Sequence, residues 1–570
     1  MENDFLYPAS LKTKDGTKWG FINKKGEFEI QPDFDFALDF QKNDLATVEK
    51  DGRYGCIDRV GNVIVPIKFE SLIDFSEGRA AVVFQSAFHV IDEQGQILTK
   101  KSYNFISMYQ EGRAMFSDID EDGNFRYGYL NLAGEIVIPL QFETASDFKD
   151  GLAIVKIAEN YFALIDRSGN LMSQYHYFFV GNYGDGLLTF KMGLNEKVGY
   201  IDLNGNVVIQ PRFTSAQAFE GGLAVVNEAD EVENKYGLID KKGQFIIKPV
   251  YNDVTILGEN RVAVGKAIDP QKPYIGSRFA ITNWKGQLLT DFMYNHVSQF
   301  DHGIASVNES NKAYFIDRSG NRARGLPIVQ GAESVALVGR LVRAMKNTRI
   351  AYFDRKGRLV WRQNTIIPLT SRYRVLEKKY EPNKDFLVFY PQVDGLKNEK
   401  AQVNVNEQLK QRSNLKKVDP NEQLDYTYTG DFNVTFFKNN LLVMELYGYE
   451  YYFGAAHGMP TKNYVNLNMI NGRFYEIGDL FKKDVDYVID LSAIIEEMIH
   501  TDSQYDYIFP GAFKGIAKDQ PFYVDEMNLY IFFAPYEIGP YAAGFPTFKI
   551  PFPKIIDMID TKGEFWLSFH

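Results

Sequence analysis

The stretch Lys18-Trp19-Gly20-Phe21-Ile22-Asn23-Lys24-Lys25-Gly26 carries the pattern that decides the fold of the larger part of the chain. An apolar, aromatic-rich run ends at an Asn, and a Gly follows three residues later. The pattern returns about every 37 residues, and a fixed period in this range marks a repeat array such as a solenoid or a propeller. Its glycines are Gly26, Gly61, Gly95, Gly134, Gly169, Gly205, Gly243, Gly286, Gly320 and Gly357.

An Asn or Asp stands three positions before each of these glycines. These residues are Asn23, Asp58, Asp92, Asn131, Asp166, Asp202, Asp240, Asn283, Asp317 and Asp354. An Asx side chain at the first position of a turn accepts hydrogen bonds from the backbone that follows it. A Gly at the fourth position supplies the positive φ of a bulged hairpin. The pattern therefore predicts a strand, a turn and a second strand at every copy.

The residues around each turn complete the predicted repeat. Short β-branched runs such as Val63-Ile64-Val65 favour strands over helices. A Pro then breaks the second strand, and an aromatic linker leads to an acidic-Gly step, as in Glu77-Gly78, and a third strand. Each repeat should therefore hold three antiparallel strands. Because ten units exceed the roughly four to eight blades of a usual propeller, we expect an open curved solenoid or propeller-like array over residues 14–362.

These residues resemble the WG-repeat family, in which Trp-Gly stands at the position of Trp19-Gly20. Tyr-Gly takes this place at 54–55, 127–128 and 236–237. The resemblance covers roughly residues 14–362. It implies a β-repeat scaffold with a binding role and no reaction attached.

The composition excludes several classes of function. The net charge is −11 and the sequence has no run of Lys or Arg, which argues against nucleic-acid binding. It has no apolar run of about 18 residues, so we expect no transmembrane helix, and no signal peptide is visible. We therefore expect a cytoplasmic protein, with the cell surface by another export route as the alternative. Cys56 is the one cysteine, so an internal disulfide is excluded and a buried apolar role is expected.

The repeat rhythm stops near residue 361. We interpret residues 363–374 as a linker and residues 375–570 as an α+β domain with an antiparallel sheet. Apolar periodicity predicts helices over 398–411 and 486–500. Strands are predicted over 386–390, 425–437, 441–453, 463–469, 522–534 and 547–552.

Three phrases of this second part resemble paired domains found in the bacterial anti-sigma factor RsiV and beside the catalytic domain of PdaC-type deacetylases. They lie at 390–396 (YPQVDGL), 451–458 (YYFGAAHG) and 535–544 (PYEIGPYAAG). The resemblance covers about residues 375–560. Since RsiV-type domains sense by binding a protein, lysozyme, it implies a bacterial protein that recognises a protein partner.

Two alternatives involve chemistry rather than recognition. His457 and Glu537 lie on loops and could serve as an acid/base pair or as metal ligands, but a turn and hydrogen-bonding role explains both. The turn Asx residues could be read as a calcium array, yet the turn explanation accounts for each one and dense carboxylate ligand sets are absent. We therefore expect no cofactor, no metal and no catalytic residue.

The sequence favours a non-enzymatic binding protein whose partner is a protein. The alternatives are a protein that binds a cell-wall glycan, an enzyme that acts on a wall polymer, and a structural spacer. The two aromatic loops provide the candidate binding residues, which are Tyr451, Tyr452, His457, Tyr536, Glu537 and Tyr541. Large rigid rings beside small residues suit a contact surface, whereas the opposing interpretation places these rings in the core.

Overall fold

The computed structural model describes residues 5–230 and 234–570, and the chain divides into two compact units. The first unit holds residues up to Ala9 together with Trp19–Arg362. The second holds Ser10–Lys18 and Gln363–His570. The second unit is therefore discontinuous in sequence, because it includes a short segment near the N-terminus.

The first unit is built of antiparallel sheets, each formed by consecutive strands. The sheets, separated here by semicolons, are β1 (Tyr7–Thr13), β2 (Gly16–Ile22), β3 (Phe28–Phe34); β4 (Phe36–Ala37), β5 (Ala46–Lys50), β6 (Arg53–Ile57), β7 (Val63–Phe69); β8 (Ser71–Leu72), β9 (Arg79–Phe84), β10 (Ala87–Asp92); β11 (Phe105–Ile106), β12 (Ala114–Ile119), β13 (Phe125–Leu130), β14 (Ile136–Phe142); β15 (Thr144–Ala145), β16 (Leu152–Ala158), β17 (Tyr161–Asp166), β18 (Leu171–Tyr175); β19 (Phe179–Gly184), β20 (Leu187–Lys191), β21 (Val198–Asp202), β22 (Val207–Phe213); β23 (Ser215–Ala216), β24 (Leu223–Asn227), β25 (Tyr236–Asp240), β26 (Phe245–Tyr251); β27 (Asp253–Gly258), β28 (Arg261–Ala267), β29 (Ser277–Asn283); β30 (His296–Val297), β31 (Ile304–Glu309), β32 (Lys312–Asp317), β33 (Val329–Gln330); and β34 (Ser334–Val338), β35 (Leu341–Lys346), β36 (Arg349–Phe353), β37 (Leu359–Arg362).

Most of these sheets contain one strand more than the three expected per repeat. The additional strand is a short extended piece of the aromatic linker. For example, β15 pairs with β16 in a four-stranded sheet, where Thr144 lies opposite Lys156 and Ala145 opposite Val155. Pairing in this way satisfies backbone groups that a free linker would leave to solvent.

All ten predicted turns form with the predicted hydrogen bonds. The Asp202 carboxylate accepts hydrogen bonds from the backbone N–H groups of Asn204 and Asn206, both at 2.9 Å, and Gly205 has a φ of +86°. The other nine Asx residues accept the same pair of hydrogen bonds. The strand register shifts beside the turns, which confirms the predicted bulged hairpin.

The Gly of the Trp-Gly step has a role that its sequence position does not reveal. A Cβ on Gly20 would lie 2.3 Å from the Ile30 carbonyl oxygen, and a Cβ on Gly55 would lie 2.5 Å from that of Val65. The bulged partner strand therefore passes so close that only a glycine fits. This contact explains why the step keeps its Gly in copies where Tyr replaces Trp.

Neighbouring sheets share buried side chains. One cluster joins Phe21 and Ile30 of the first sheet to Val48 and Ile57 of the second. Cys56 is fully buried in the next cluster, as expected. The linker residues Phe148 and Phe219 are buried in later clusters, so they pack between repeats.

The last sheet packs on the first, so the array closes on itself. The Tyr352 hydroxyl donates to the Pro8 carbonyl at 2.9 Å, and its ring lies 5.4 Å from that of Tyr7. The Arg343 guanidinium pairs with the Asp39 carboxylate at 2.5 Å. The expectation of an open array is therefore wrong, whereas the propeller-like alternative is confirmed.

The physical reason for closure is one contact that recurs along the array. Each turn glycine sits against the segment that follows the turn of the preceding repeat: Gly61 lies against Ile30, Gly95 against Val65, and Gly243 against Ile209. Gly26 of the first repeat makes the same contact with Val360 of the last. The contact that joins the first repeat to the last is thus the same as the contact between consecutive repeats.

The Gly26 contact generates a stability prediction with an internal control. A Cβ on Gly26 would lie 2.4 Å from the Val360 carbonyl oxygen, whereas a Cβ on Gly52 would meet nothing within 4 Å. Both residues have positive φ, so Gly52→Ala should cost about 1–2 kcal/mol from backbone strain alone. Gly26→Ala should cost about 1–3 kcal/mol more, because it also overpacks the closure contact. Urea melts that show equal losses for the two variants would contradict the closure.

The second unit is an α+β domain with two sheets. The larger sheet is formed in order by β38 (Ile366–Pro368), β39 (Arg374–Asn383), β40 (Phe386–Asp394), β41 (Tyr426–Lys438), β42 (Leu441–Tyr452), β43 (Met459–Asn468) and β44 (Phe474–Tyr475). The smaller sheet is formed by β45 (Phe522–Val524), β46 (Asn528–Phe532) and β47 (Thr547–Pro551). The helices are α1 (Glu399–Arg412), α2 (Tyr487–Thr501), α3 (Phe552–Ile555) and α4 (Glu564–Leu567).

Both long helices begin where the sequence predicts. The Asn398 and Asp486 side chains cap their first turns by accepting backbone hydrogen bonds from Ala401 and Ile489. Leu491 and Ile495 of α2 are buried against the smaller sheet. No helix in the described part of the chain is long and apolar enough to cross a bilayer.

The second unit differs from the sequence interpretation in three places. The presumed linker contains β38, which pairs with β39 in the larger sheet. The pair β40–β41 is parallel, since α1 forms a crossover between these two strands. Residues 522–534 form a hairpin rather than one strand, because the Asp525 carboxylate accepts hydrogen bonds from the backbone N–H groups of Met527 and Asn528, both at 2.7 Å.

A buried ion cluster attaches the N-terminal segment to the rest of the second unit. Lys12 is 3% exposed, and its ammonium lies 2.7 Å from the Asp431 carboxylate and 3.0 Å from that of Glu377. It also donates to the Phe432 carbonyl at 2.9 Å. The segment Ser10–Lys18 is therefore an integral part of this unit.

Removing the buried ammonium tests this role. Lys12→Met leaves two carboxylates close together in a buried site, which should lower the free energy of unfolding of the second unit by about 3–5 kcal/mol. Lys14→Met is the matched control, since the Lys14 side chain is 51% exposed and its salt bridge to Asp15 spans 3.8 Å. Equal urea midpoints for Lys12→Met and wild type would contradict the buried cluster.

Candidate functional site

The two aromatic loops of the second unit meet. The His457 ring stacks on the Tyr541 ring with a centroid distance of 4.0 Å and an interplanar angle of 27°. The Tyr536 ring centroid is 5.6 Å from that of Tyr541, and its hydroxyl lies 3.4 Å from His457 Nε2. Residues about 80 positions apart thus form one aromatic group.

Gly458 connects the two loops through its backbone. Its N–H donates to the Tyr449 hydroxyl at 2.9 Å, and its carbonyl accepts from the Tyr541 hydroxyl at 2.8 Å. His457 Nδ1 lies 3.1 Å from the same carbonyl oxygen. A Cβ on Gly458 would lie 2.4 Å from the Glu450 carbonyl oxygen, so the loop can take this position only with glycine.

The aromatic group faces solvent. Tyr449 and Tyr536 are 41% and 53% exposed, His457 is exposed, and Tyr541 is half-buried. The opposing interpretation, in which these rings belong to the core, does not describe them. Gly458 beneath them is buried, so the rings lie on a fixed base.

Tyr452 and Tyr451 lie apart from the stacked rings. Successive side chains of a strand point to opposite faces of the sheet, so Tyr452 points away from the face of Tyr449. Its ring packs against Tyr426 at 5.3 Å. The Tyr451 hydroxyl donates to the Ala455 carbonyl at 3.2 Å and so holds the loop itself.

Tyr449 is the member of the site that sequence reasoning missed. The run Tyr447-Gly448-Tyr449-Glu450-Tyr451 alternates aromatic and other residues, which places Tyr447 and Tyr449 on one face of β42. Applying this period of two would have selected Tyr449 and set Tyr452 aside. The signal was present in the sequence, in the strand rather than in the loop.

Glu537 has a local structural contact. Its carboxylate accepts a hydrogen bond from the Ala534 N–H at 2.8 Å, which closes the turn that carries Tyr536. Tyr536 has a φ of +69°, an unusual conformation for a bulky residue that marks a constrained turn. Among the described residues, no group of three or more His, Cys, Asp or Glu side chains could hold a metal ion.

The surroundings of Tyr541 favour its protonated form. Desolvation and the neighbouring Tyr449 hydroxyl raise the pKa of Tyr541. The hydroxyl therefore keeps its proton at neutral pH and continues to donate to Gly458. The arrangement is a pre-organised surface of rings with polar edges, which suits recognition.

Two known families match parts of the chain. The WG containing repeat matches residues 19–54, 54–84, 90–118, 127–161, 199–230 and 236–266. The family of proteins of unknown function DUF3298 matches residues 478–553. The chain therefore carries WG repeats and a C-terminal DUF3298 domain, which confirms both resemblances. No curated protein matches the chain.

Several solved structures are similar to part of this chain. A DUF3298 protein from Bacteroides fragilis is 16% identical, with 33% of this chain and 92% of that chain covered and a TM-score of 0.25. A DUF3298 protein from Pseudomonas aeruginosa is also 16% identical, covers 34% and 95%, and gives a TM-score of 0.26. A eukaryotic initiation factor is 12% identical, covers 55% and 94%, and gives a TM-score of 0.40.

Substitution of Gly458 tests the geometry of the site. Gly458→Ala should displace the loop and separate His457 from Tyr541, because the new Cβ meets backbone at 2.4 Å. The His457 ring protons should then lose the ring-current shift that Tyr541 imposes, as read from the NMR spectrum. Gly544→Ala is the control, since a Cβ there meets nothing within 4 Å. An unchanged His457 shift in Gly458→Ala would contradict the described stack.

Proposed function

We propose that the protein is a non-enzymatic recognition protein that binds a protein partner through the exposed aromatic group of its second unit. The observation that carries this proposal is the His457–Tyr541 stack, with Tyr449 and Tyr536 exposed beside it. Tyr rings supply large contact area at a low cost in conformational entropy. Such rings are enriched among the residues that dominate binding energy at interfaces.

The rigidity of the group supports this proposal. Tyr449 and Tyr541 hold Gly458 from both sides, so the rings need little reordering when a partner arrives. Less ordering on binding leaves more of the contact energy as affinity. The resemblance to RsiV-type domains, which bind lysozyme, further supports a protein partner and a bacterial source.

A cell-wall glycan is the alternative occupant. The exposed Tyr536 ring and the half-buried Tyr541 ring, whose centroids are 5.6 Å apart, could also stack against sugar rings. The repeat array would in either case act as a scaffold. A protein partner and a glycan require different probes, so titration with each probe separates the two alternatives.

Titration of the full chain with lysozyme and, separately, with soluble muropeptides tests the proposal. We expect saturable lysozyme binding, which Tyr541→Ala weakens by about 1–3 kcal/mol. Tyr452→Ala is the matched control and should bind as wild type does, because Tyr452 lies on the other sheet face. Binding of muropeptides alone would favour the glycan alternative. Lysozyme binding that is indifferent to Tyr541→Ala, or absent altogether, would contradict the proposed surface.

A further inference from the structure

Three consecutive sheets of the first unit carry long hairpin loops at the same position of the repeat. Elsewhere this position holds two-residue loops, such as the one between β5 and β6, and they lie at 51–52, 85–86, 159–160, 310–311 and 347–348. The equivalent loops span 192–197, 228–235 and 268–276 in three successive sheets, and 120–124 is of intermediate length. Insertions in a repeat array map to loops on one face, which is often the face that binds. The departure from the repeat therefore marks this part of the array as a candidate site.

The second and third of these long loops line a cavity of about 550 Å³. Lys235 lies at the end of the second loop, and Pro270 and Pro273 lie in the third. Val250 of β26 and Lys266 of β28 line the cavity from the adjoining strands. A cavity of this size is in the range that holds a small molecule, and such sites combine apolar walls with a few polar groups.

The buried side chain of Asn252 holds the two loops together at the base of the cavity. Asn252 is 8% exposed, and its Oδ1 accepts a hydrogen bond from Asn234 Nδ2 at 3.2 Å. Its Nδ2 donates to the Pro273 carbonyl at 3.1 Å and to the Ser277 hydroxyl at 2.9 Å. One amide thus joins the second loop, the third loop and β29, so the cavity is formed before any ligand arrives.

The walls of the cavity are apolar and stiff. The rings of Pro270 and Pro273 fix their backbone φ, and Pro273 begins a short 3₁₀ turn that ends at Ile275. Val250 is 68% exposed, and Tyr274, next to Pro273, is 53% exposed. A ligand whose apolar part covers these side chains removes their surface from water, which favours binding.

The charged groups that line the cavity are cationic. The Lys266 ammonium lies 4.4 Å from the centroid of the Phe292 ring, and within the described ranges no carboxylate pairs with it. Lys235 supplies the second ammonium, and its backbone N–H donates to the Asn227 side chain at 3.0 Å. No Asp or Glu of the described residues lines the cavity. Because a cleft lined by one sign of charge attracts ligands of the opposite sign, the lining favours an anion.

We propose that this cavity binds a small carboxylate with an apolar body. The carboxylate pairs with the Lys266 ammonium, and Lys235 adds a second positive charge to the same cavity. The apolar body packs on Val250 and the two prolines. A free medium-chain or aryl acid has this chemistry, and so does the C-terminal residue of a peptide when that residue is apolar. The site lies in the first unit and does not depend on the function proposed for the aromatic group of the second.

Saturation-transfer NMR on the full chain tests this proposal with three separate probes. Octanoate represents a free acid, N-acetylphenylalanine represents the C-terminus of a peptide, and N-acetylphenylalaninamide keeps the apolar body without the charge. We expect a saturable signal from at least one of the two carboxylates. The apparent affinity for the amide should be at least fivefold lower than for that carboxylate. The carboxylate that binds more tightly distinguishes the two sources of the ligand.

Two substitutions at exposed positions locate the binding site. Lys266→Met removes the ammonium and keeps an apolar side chain, so it should weaken carboxylate binding fivefold or more. Lys285→Met is the matched control, because Lys285 is exposed in the turn that follows the opposite end of β29 from the third loop. Val250→Glu places a negative charge at the cavity and should weaken carboxylate binding by a similar factor.

The outcome is decisive in either direction. A circular dichroism melt unchanged from wild type shows that Lys266→Met and Val250→Glu are folded, so a loss of signal reports on the cavity. No saturable signal from either carboxylate, equal affinity for the amide, or carboxylate binding that neither variant changes would overturn the proposal. Tyr541→Ala should leave the carboxylate signal unchanged, which separates this site from the aromatic group.

Discussion

The contact between each turn glycine and the segment that follows the turn of the preceding repeat is the constraint on which the first unit depends. A small antiparallel sheet cannot bury both of its faces alone, so its stability comes from shared cores with its neighbours. The Asx side chain fixes the turn, the turn glycine fits against the neighbouring strand, and the aromatic linker fills the space between sheets. Because Gly26 makes the same contact with Val360, the ends of the array are stabilised like its middle.

The second unit uses glycine in a related way to build a surface. Gly458 lets the loop approach the backbone of β42 closely, and two tyrosine hydroxyls hold it there. The rings above it are therefore positioned by hydrogen bonds beneath them rather than by burial. A surface of this kind can be exposed and still be rigid, which is the combination that recognition requires.

Local chemistry made much of this structure predictable. The turns involve residues two to four positions apart, and the N-cap residues Asn398 and Asp486 mark the starts of the two long helices. The turns and the helices are therefore both visible in the sequence. Closure is different, because the contact between Gly26 and Val360 joins distant residues without any local signature. The 522–534 hairpin was missed since its turn contains no Gly or Pro and depends on the Asp525 side chain.

The candidate site, like the fold, could be predicted from the sequence only in part. The two loops were recognisable by composition, and the structure brings His457, Tyr536 and Tyr541 together. Their pairing across about 80 residues follows from the sheet, which the sequence describes only in outline. Side chains alternate between the two faces of β42, so Tyr449 lies on the face of the site and Tyr452 on the opposite face. This distinction requires the strand register and does not follow from loop composition.

Native-state hydrogen exchange of the backbone amides along the first unit tests the central claim of closure most directly. Amide protection reports the free energy of local opening, and an open repeat array exchanges fastest at its ends. A closed array predicts that the amides of β36 and of residues 19–22 in β2 are as protected as those of β21 in the middle. Protection that falls steadily from the central sheets toward both ends would contradict the closed array.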